Sequence, residues 1–187
     1  MRKFKDSFLL SVIVPVYKQE KTIKKDLLRI KQALDKVAWN YEVVVVVDGK
    51  VDRSYQRAKE VTSSRLRVFG YKENQGKGYA IRFGMKKAKG DYIGFIDAGM
   101  EIDPLGISML LQHLVWYDAD IIVGSKRHPV SKVNYPLIRK FLSWGYYKLV
   151  RVLFGLNITD TQAGVKVFRR GDLFVPLNPF RLDFLLI

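Results

Sequence analysis

Two aspartates stand directly behind apolar segments of the sequence. Asp48 follows five consecutive valines at 43–47, and Asp97 follows the segment Tyr92–Ile96. At the end of a buried strand, a carboxylate can bind a ribose hydroxyl, a nucleobase amide or a divalent cation that holds a pyrophosphate. Each aspartate alone has a structural alternative, since Asp48 can form a turn with Gly49 and Asp97 can cap a helix. Their equivalent positions favour a shared functional site.

A second candidate for chemistry is the sequence Gly76-Lys77-Gly78, at the predicted start of a helix. Free backbone N–H groups and the ammonium of Lys77 would together attract an anion there. The spacing matches neither the P-loop nor the dinucleotide fingerprint, so we expect neither a P-loop ATPase nor a nicotinamide dehydrogenase. The structural alternative is that the glycines only allow close packing of helix on sheet.

The elements that must position these residues alternate between strand and helix. Apolar, β-branched runs predict strands, the first of them ended by Pro15, at Leu9–Val14, Glu42–Val47, Leu66–Phe69, Tyr92–Ile96 and Ala119–Val123. Helical spacing of apolar residues predicts helices at about 20–37, 52–63, 78–88 and 104–116. This order predicts an α/β fold with a mainly parallel sheet, which binds ligands at the carboxyl ends of its strands. We expect one domain over residues 1–187.

The pattern changes after Gly124. Residues 134–154 are predicted to form a long basic, aromatic helix, and Val165–Phe168 one more strand. Four cations in this region can neutralise phosphates or can simply be solvated: Lys126, Arg127, Arg139 and Lys140. The last residues, 182–187, form an apolar run broken only by Asp183, from which we expect a longer protein that has been cut within a helix.

The composition narrows the possible partners. The net charge of +15, from 33 Lys and Arg against 18 Asp and Glu, attracts the phosphates of nucleic acid, lipid head groups or nucleotides. Residues 121–159 contain no acid and several aromatic residues, which suits a lipid–water interface or an RNA surface.

The lack of cysteine excludes disulfides, thiolate catalysis and cysteine-based zinc sites. No segment approaches the roughly 18 apolar residues of a membrane-spanning helix.

Together these motifs resemble the family 2 glycosyltransferases of GT-A fold, and among them the polyprenyl- or dolichyl-phosphate sugar transferases. The segments that carry the resemblance are 11–17, 46–49, 74–78, 90–98, 124–126 and 160–168. The last, Asp160-Thr161-Gln162-Ala163-Gly164-Val165-Lys166-Val167-Phe168, is the most specific, and is similar to the Asp-Thr-Gln-x-Gly-Phe-Lys-x-Phe segment of dolichyl-phosphate glucosyltransferases. The segment Phe180–Leu186 is similar to the start of a helix in that family.

The resemblance implies transfer of a hexose, with inversion, from UDP-glucose or GDP-mannose to a polyprenyl or dolichyl phosphate. It also implies a peripheral enzyme at the cytoplasmic face of a membrane, with no nucleic acid partner. The nucleotide sugar is expected to contact Pro15, Tyr17, Gln19, Asp48, Gly76, Lys77, Asp97, Ala98 and Lys126. Within this set Asp48 would lie on the base, Asp97 and Ala98 at the ribose and diphosphate, and Lys126 near the phosphates. Catalysis is assigned to Asp97, Lys126 and Asp160, with Asp160 beside the sugar and acceptor.

One departure from the family concerns the metal. Gly99 stands where the Asp-x-Asp motif of the family has its second aspartate. The resemblance implies Mg²⁺ or Mn²⁺, which we expect Asp97 and Glu101 to hold; otherwise Lys77 and Lys126 would neutralise the diphosphate.

Three other functions remain alternatives at this point. One is a family 2 transferase with a soluble or polysaccharide acceptor, and another is a nucleotide-sugar-binding protein whose catalysis has decayed. An RNA-binding domain is disfavoured because the sequence carries no RNA-reading motif.

Overall fold

A computed structural model of the chain describes residues 8–37, 39–99, 103–124, 165–172 and 184–186. The strands are β1 (Leu9–Val16), β2 (Asn40–Val47), β3 (Leu66–Gly70), β4 (Tyr92–Ile96), β5 (Ile121–Val123), β6 (Val165–Arg169) and β7 (Phe184–Leu186). The helices are α1 (Ile23–Leu34), α2 (Ser54–Lys59), α3 (Lys77–Lys87) and α4 (Leu105–Trp116). A 3-10 turn at Arg170–Asp172 follows β6.

The strands form one sheet in the order β3-β2-β1-β4-β6-β5-β7. The pairs β3–β2, β2–β1, β1–β4 and β5–β7 are parallel, whereas β6 runs antiparallel to both β4 and β5. The predicted α/β class with a mainly parallel sheet is therefore confirmed.

The central strands are buried on both faces because helices cover both sides of the sheet. Val43, Val45 and Val47 of β2 pack in the cluster that contains the apolar sides of α1, α2 and α4. Val44 and Val46 point the other way and pack with residues of α3. The period of two along a strand thus distributes the valine run over two apolar layers, as expected for a parallel sheet.

Two predicted boundaries were wrong for local reasons. Strand β1 continues through Pro15 to Val16, because β4 pairs with β1 only as far as Ile13 and the missing N–H of Pro15 falls where β1 has a single neighbour. Helix α2 begins at Ser54 and not near Asp52, since the Asp52 carboxylate accepts the Ser54 N–H at 2.9 Å and forms a turn before the helix.

The prediction of a helix at the end of the chain was also wrong. Residues Phe184–Leu186 form β7, which pairs in parallel with Ile121–Val123. The pairing satisfies backbone groups along the side of β5 that faces away from β6.

The helix predicted at 134–154 lies outside the described residues. Within the described ranges, no helix combines the length and the apolar character needed to cross a lipid bilayer.

Candidate functional site

A cleft of about 500 Å³ opens at the carboxyl ends of β1, β2 and β4. This is the edge at which parallel sheets bind their ligands, and the volume suits a small molecule. The cleft is lined by Pro15, Val16, Tyr17, Gln19, Asp48, Asn74, Gly76, Lys77, Asp97, Ala98 and Gly99. The structure thus brings together every predicted nucleotide-site residue that falls in the described ranges. Lys126, Glu101 and Asp160 lie outside those ranges.

Asp48 is buried at the wall of the cleft and accepts three hydrogen bonds. Its Oδ1 accepts the hydroxyl of Tyr71 at 2.8 Å and the backbone N–H of Gln75 at 2.7 Å. Its Oδ2 accepts the side-chain amide of Asn74 at 2.9 Å. The carboxylate therefore ties the loop after β3 to the end of β2. Burial, together with the hydrogen bond to Asp48, raises the pKa of Tyr71 above its ordinary value, so the phenol stays protonated as a donor.

Sequence reasoning missed Tyr71, which lies outside the predicted motifs. The register between β2 and β3 identifies Tyr71. Val47 pairs with Gly70 at the ends of these strands, so the residues that follow them, Asp48 and Tyr71, lie at the same edge of the sheet. The turn at Gly49 also depends on this loop. Gly49 has a φ of +82°, and a Cβ there would lie 2.8 Å from the backbone nitrogen of Asn74. Asp48-Gly49 can therefore form a turn while the Asp48 carboxylate also belongs to the cleft.

Helix α3 begins at the cleft with its N-terminus exposed to it. Gly76, immediately before the helix, has φ 87° and ψ 156°, a conformation that is essentially restricted to glycine. A Cβ at Gly76 would meet nothing within 4 Å, so the space beside it is open. The N–H groups of Tyr79 and Ala80 both donate to the Gly76 carbonyl, at 3.0 and 3.1 Å, so the N–H groups of Lys77 and Gly78 at the very start of the helix are the ones that can bind an anion.

Lys77 forms an ion pair with Asp97. Its Nζ lies 2.6 Å from Oδ1 and 2.8 Å from Oδ2 of the carboxylate, and both side chains remain partly exposed. Sequence reasoning placed both residues in the site but did not predict this pairing. Beside them, a Cβ at Gly99 would have Gln19 Nε2 at 3.7 Å as its nearest neighbour, which is ordinary contact.

Gln19 joins the cleft to the neighbouring helix. Its backbone N–H donates to the hydroxyl of Ser54 at 2.8 Å, which fixes the loop after β1 against the start of α2. Its Oε1 is buried without a hydrogen-bond partner among the described residues. A buried acceptor left unpaired costs free energy, so Gln19 is a position where an incoming donor group would stabilise the site.

The two described residues that flank the segment 125–164, Gly124 and Val165, lie next to the carboxyl end of β4. Val165, the first residue of β6, pairs with Ile96, and its carbonyl accepts the N–H of Gly124 at 3.1 Å. Lys126 is two residues from Gly124 and Asp160 five from Val165. Gly124 and Val165 are thus the anchors of the segment that contains both residues.

The cleft fits a divalent cation only in part. Among the described residues, no group of three or more His, Asp or Glu side chains is arranged to hold a metal ion. Mg²⁺ at phosphate sites nevertheless often uses one or two carboxylates and completes its shell with substrate oxygens and water. The ammonium of Lys77 on both oxygens of Asp97 shows that this carboxylate faces a position where a cation is stable. Asp97 is therefore one carboxylate of the kind that such a site uses.

Residues 11–174 match the profile described as "Glycosyl transferase family 2". The chain belongs to this family. The predicted resemblance to family 2 is thus confirmed, and the match includes all the cleft residues.

Two relatives illustrate the family 2 match. The chain is 32% identical to the dolichyl-phosphate beta-glucosyltransferase of Drosophila melanogaster, over 95% of this chain and 60% of that protein. It is 31% identical to the dolichol-phosphate mannosyltransferase of Pyrococcus furiosus, over 95% of this chain and 51% of that protein. The chain therefore spans only a little over half the length of these relatives.

A solved structure supports the GT-A fold that family 2 membership implies. The glucosyl-3-phosphoglycerate synthase of Mycobacterium tuberculosis, in complex with Mn²⁺, uridine diphosphate and phosphoglyceric acid, superposes with a TM-score of 0.62. The identity is 21%, over 88% of this chain and 56% of that one. At this identity the likeness concerns the fold, and the predicted GT-A fold is confirmed.

Proposed function

We propose that this chain is a single catalytic domain that transfers a hexose from a nucleotide sugar to a polyprenyl or dolichyl phosphate. The observation that carries the proposal is the cleft, where a helix N-terminus, an ammonium group and a carboxylate meet at the carboxyl edge of a family 2 sheet. The relatives named as dolichyl-phosphate glucosyltransferase and dolichol-phosphate mannosyltransferase support the lipid-phosphate acceptor.

The donor would lie along the strand ends. Pro15, Tyr17 and Gln19 border the nucleoside, and the orphaned Oε1 of Gln19 can accept a hydrogen bond from it. Asp48 supports this wall through the Asn74–Gln75 loop and faces the base. Its three protein donors indicate that its contribution is largely to hold the loop in place.

The diphosphate would lie at the start of α3. Gly76 leaves room for its oxygens, the first-turn N–H groups face them, and Lys77 adds a positive charge. Asp97 and Ala98 then contact the ribose and the diphosphate. Donors that are already in place where the leaving group gains charge lower the barrier without reorganisation.

The reaction is a single displacement. An oxygen of the acceptor phosphate attacks the anomeric carbon and forms the new C–O bond, while the bond from that carbon to the diphosphate oxygen breaks. The nucleoside diphosphate leaves with the electron pair, and the anomeric configuration is inverted. Because a phosphate monoester is already ionised at pH 7, the site needs no strong general base, and positioning supplies much of the rate.

A divalent cation, Mg²⁺ or Mn²⁺, would neutralise charge on the leaving diphosphate when bound. Asp97 would hold it together with Glu101, two residues beyond Gly99. The Mn²⁺ complex of the mycobacterial synthase, which shares this fold, supports use of such an ion.

The segment between β5 and β6 would serve the acceptor. Lys126 would contact phosphates, and Asp160 would orient the sugar or the acceptor, because the anchors of both residues flank the cleft. The basic, aromatic sequence of 126–154 would rest on anionic lipid, and this supports a peripheral protein at the cytoplasmic face of a membrane.

The test measures release of nucleoside diphosphate by the full 187-residue chain. UDP-glucose and GDP-mannose are each supplied with dolichyl phosphate, with dolichol, or with no acceptor. We expect one donor to release its diphosphate in a manner that depends on dolichyl phosphate, and Asp97→Asn to reduce that rate by roughly a hundredfold. Equal release with dolichol or without acceptor would contradict the lipid-phosphate acceptor. Donor binding without release in any arm would favour a decayed, nucleotide-sugar-binding protein.

A further inference from the structure

The ion pair between Lys77 and Asp97 involves the carboxylate to which the proposed function assigns a divalent cation. Lys77 is the first residue of α3, and Asp97 follows β4, so the pair bridges two elements across the floor of the cleft. The ammonium lies within 2.8 Å of both carboxylate oxygens. Both carboxylate oxygens of Asp97 are therefore in contact with the Lys77 ammonium.

We propose that Lys77 is the resident counter-ion of Asp97, and that a divalent cation must displace it to bind. The metal then binds weakly to the protein alone, and tightly once a diphosphate offers Lys77 another partner. The part that involves the diphosphate rests on the proposed function, whereas the competition at Asp97 does not.

Electrostatic repulsion supports the competition. An ammonium group and a divalent cation at the same two oxygens repel each other strongly at such short separation. A carboxylate two residues after Asp97 would let the metal bind beside the lysine, but that residue is Gly99, and the next carboxylate in the sequence is Glu101. The metal and Lys77 therefore exclude each other at Asp97 more completely than they would beside a complete pair of aspartates.

The geometry of α3 supplies the alternative partner for Lys77. Its side chain is 52% exposed, so it can change rotamer without disturbing the core. A diphosphate at the first turn of α3 lies beside the backbone of Lys77 itself. When the ammonium moves onto the phosphate, Asp97 becomes available to the metal, and the metal gains phosphate oxygens as further ligands. Binding of the two is therefore cooperative, and the coupling is reciprocal.

The experiment measures Mn²⁺ binding by the electron paramagnetic resonance signal of the free ion, using the full chain with and without UDP. UDP with Mn²⁺ in buffer corrects for their own association. For the unsubstituted protein we expect weak Mn²⁺ binding that UDP tightens at least tenfold. For Lys77→Met we expect Mn²⁺ to bind the protein alone about tenfold more tightly, because the competing charge is gone, and UDP to add less than it does in the unsubstituted protein.

Two further variants sharpen the result. Lys86→Met removes an exposed charge from the far end of the same helix and should leave Mn²⁺ binding unchanged. Gly99→Asp adds the missing carboxylate, for which the 3.7 Å distance to Gln19 leaves room, and should tighten Mn²⁺ binding while Lys77 is still present. Melting temperatures near that of the unsubstituted protein verify that each variant is folded.

The proposal is overturned if Lys77→Met binds Mn²⁺ no more tightly than the unsubstituted protein, or if Lys86→Met raises the affinity equally. Tight Mn²⁺ binding by the unsubstituted protein without UDP would also overturn it. Failure of the proposed function looks different, because UDP would then fail to raise the melting temperature with or without metal. In that case the comparison of Lys77→Met with Lys86→Met in the absence of UDP still decides whether Lys77 competes for Asp97.

Discussion

The hydroxyl of Tyr71 lies 2.8 Å from Oδ1 of Asp48, and the two residues directly follow the paired strand ends Gly70 and Val47. The register between β2 and β3 therefore determines where this wall of the cleft lies. A hydrogen bond that spans two strand ends also holds the loop after β3 against the wall of the cleft.

The first prediction concerns this wall. Tyr71→Phe removes one of three donors to Asp48 and should lower the free energy of unfolding by about 1 kcal/mol, with UDP affinity reduced only a few-fold. Asp48→Ala leaves all three donors without their acceptor and should reduce UDP affinity more than tenfold. Urea denaturation and isothermal titration measure the two effects. If Tyr71→Phe abolished UDP binding as fully as Asp48→Ala, Tyr71 would be a ligand contact and not a support.

The second prediction compares two glycines of the cleft. Gly76 has a positive φ, so Gly76→Ala should cost on the order of 1–3 kcal/mol through backbone strain and should weaken UDP binding by shifting the start of α3. Gly99 has no such constraint, and a Cβ there would make only ordinary contact with Gln19 Nε2 at 3.7 Å, so Gly99→Ala should change stability by less than about 0.5 kcal/mol. Thermal and urea unfolding of the two variants measure the contrast. Equal stability losses would argue against the described conformation of Gly76.

The third prediction concerns the packing that sets the direction of α3. A Cβ at Gly84 would lie 2.6 Å from Cγ2 of Ile13, whereas one at Gly78 would have its nearest neighbour at 4.0 Å. Helix propensity favours alanine at both positions by up to about 1 kcal/mol. We expect Gly84→Ala to destabilise the protein by roughly 1–3 kcal/mol because overpacking outweighs propensity, and Gly78→Ala to maintain or raise the free energy of unfolding in urea. Two stabilised variants would contradict the close packing of α3 on β1.

The fourth prediction follows from a buried carboxylate outside the cleft. Burial alone would raise the pKa of Glu42, but hydrogen bonds from Ser11 and the Lys89 backbone, together with Arg67, outweigh it and hold the pKa below its ordinary value of 4.5. The folded state therefore favours the ionised form. This stabilisation is complete above the ordinary value and is lost as the pH falls through the lower folded value.

Glu42→Gln should accordingly cost roughly 1–3 kcal/mol at pH 7, and the difference from the unsubstituted protein should shrink as the pH falls below 4.5. Urea denaturation at pH 7 and at about pH 3.5 measures this change. Glu60 is the matched control, because it is an exposed glutamate that also forms an ion pair, with Lys24. Glu60→Gln should have no measurable effect on the free energy of unfolding at either pH. A difference for Glu42→Gln that grew in acid would show that the sign of the shift is wrong.

Much of the fold was predictable because it depends on local pattern. The valine run of β2 can be buried only if both of its faces are covered, which already requires helices on two sides of a sheet. Similarly, Ile23, Leu27, Leu28, Ile30 and Leu34 recur at helical spacing, and all of them except the exposed Leu28 are buried in α1. The predicted end of β1 before Pro15 was wrong, because the effect of a proline on a strand depends on how many neighbouring strands pair with it at that residue.

The site was predictable in its location but not in its internal contacts. Asp48, Lys77 and Asp97 could be assigned to one edge because each follows or begins a recognised element. The pairing of Lys77 with Asp97 depends on how α3 and β4 are placed in three dimensions, and the contact of Tyr71 with Asp48 depends on strand register. Neither relationship has a signature in local composition.

The antiparallel β6 has a consequence for the length of chain that the sheet can accommodate between β5 and β6. Because residues 124 and 165 are hydrogen-bonded to each other, everything between them is inserted at a single point of the sheet. The entropic cost of closing such an insertion rises only slowly with its length. A change in the length of the segment 125–164 should therefore cost little stability and leave β1, β2, β4 and α3, which build the cleft, in place.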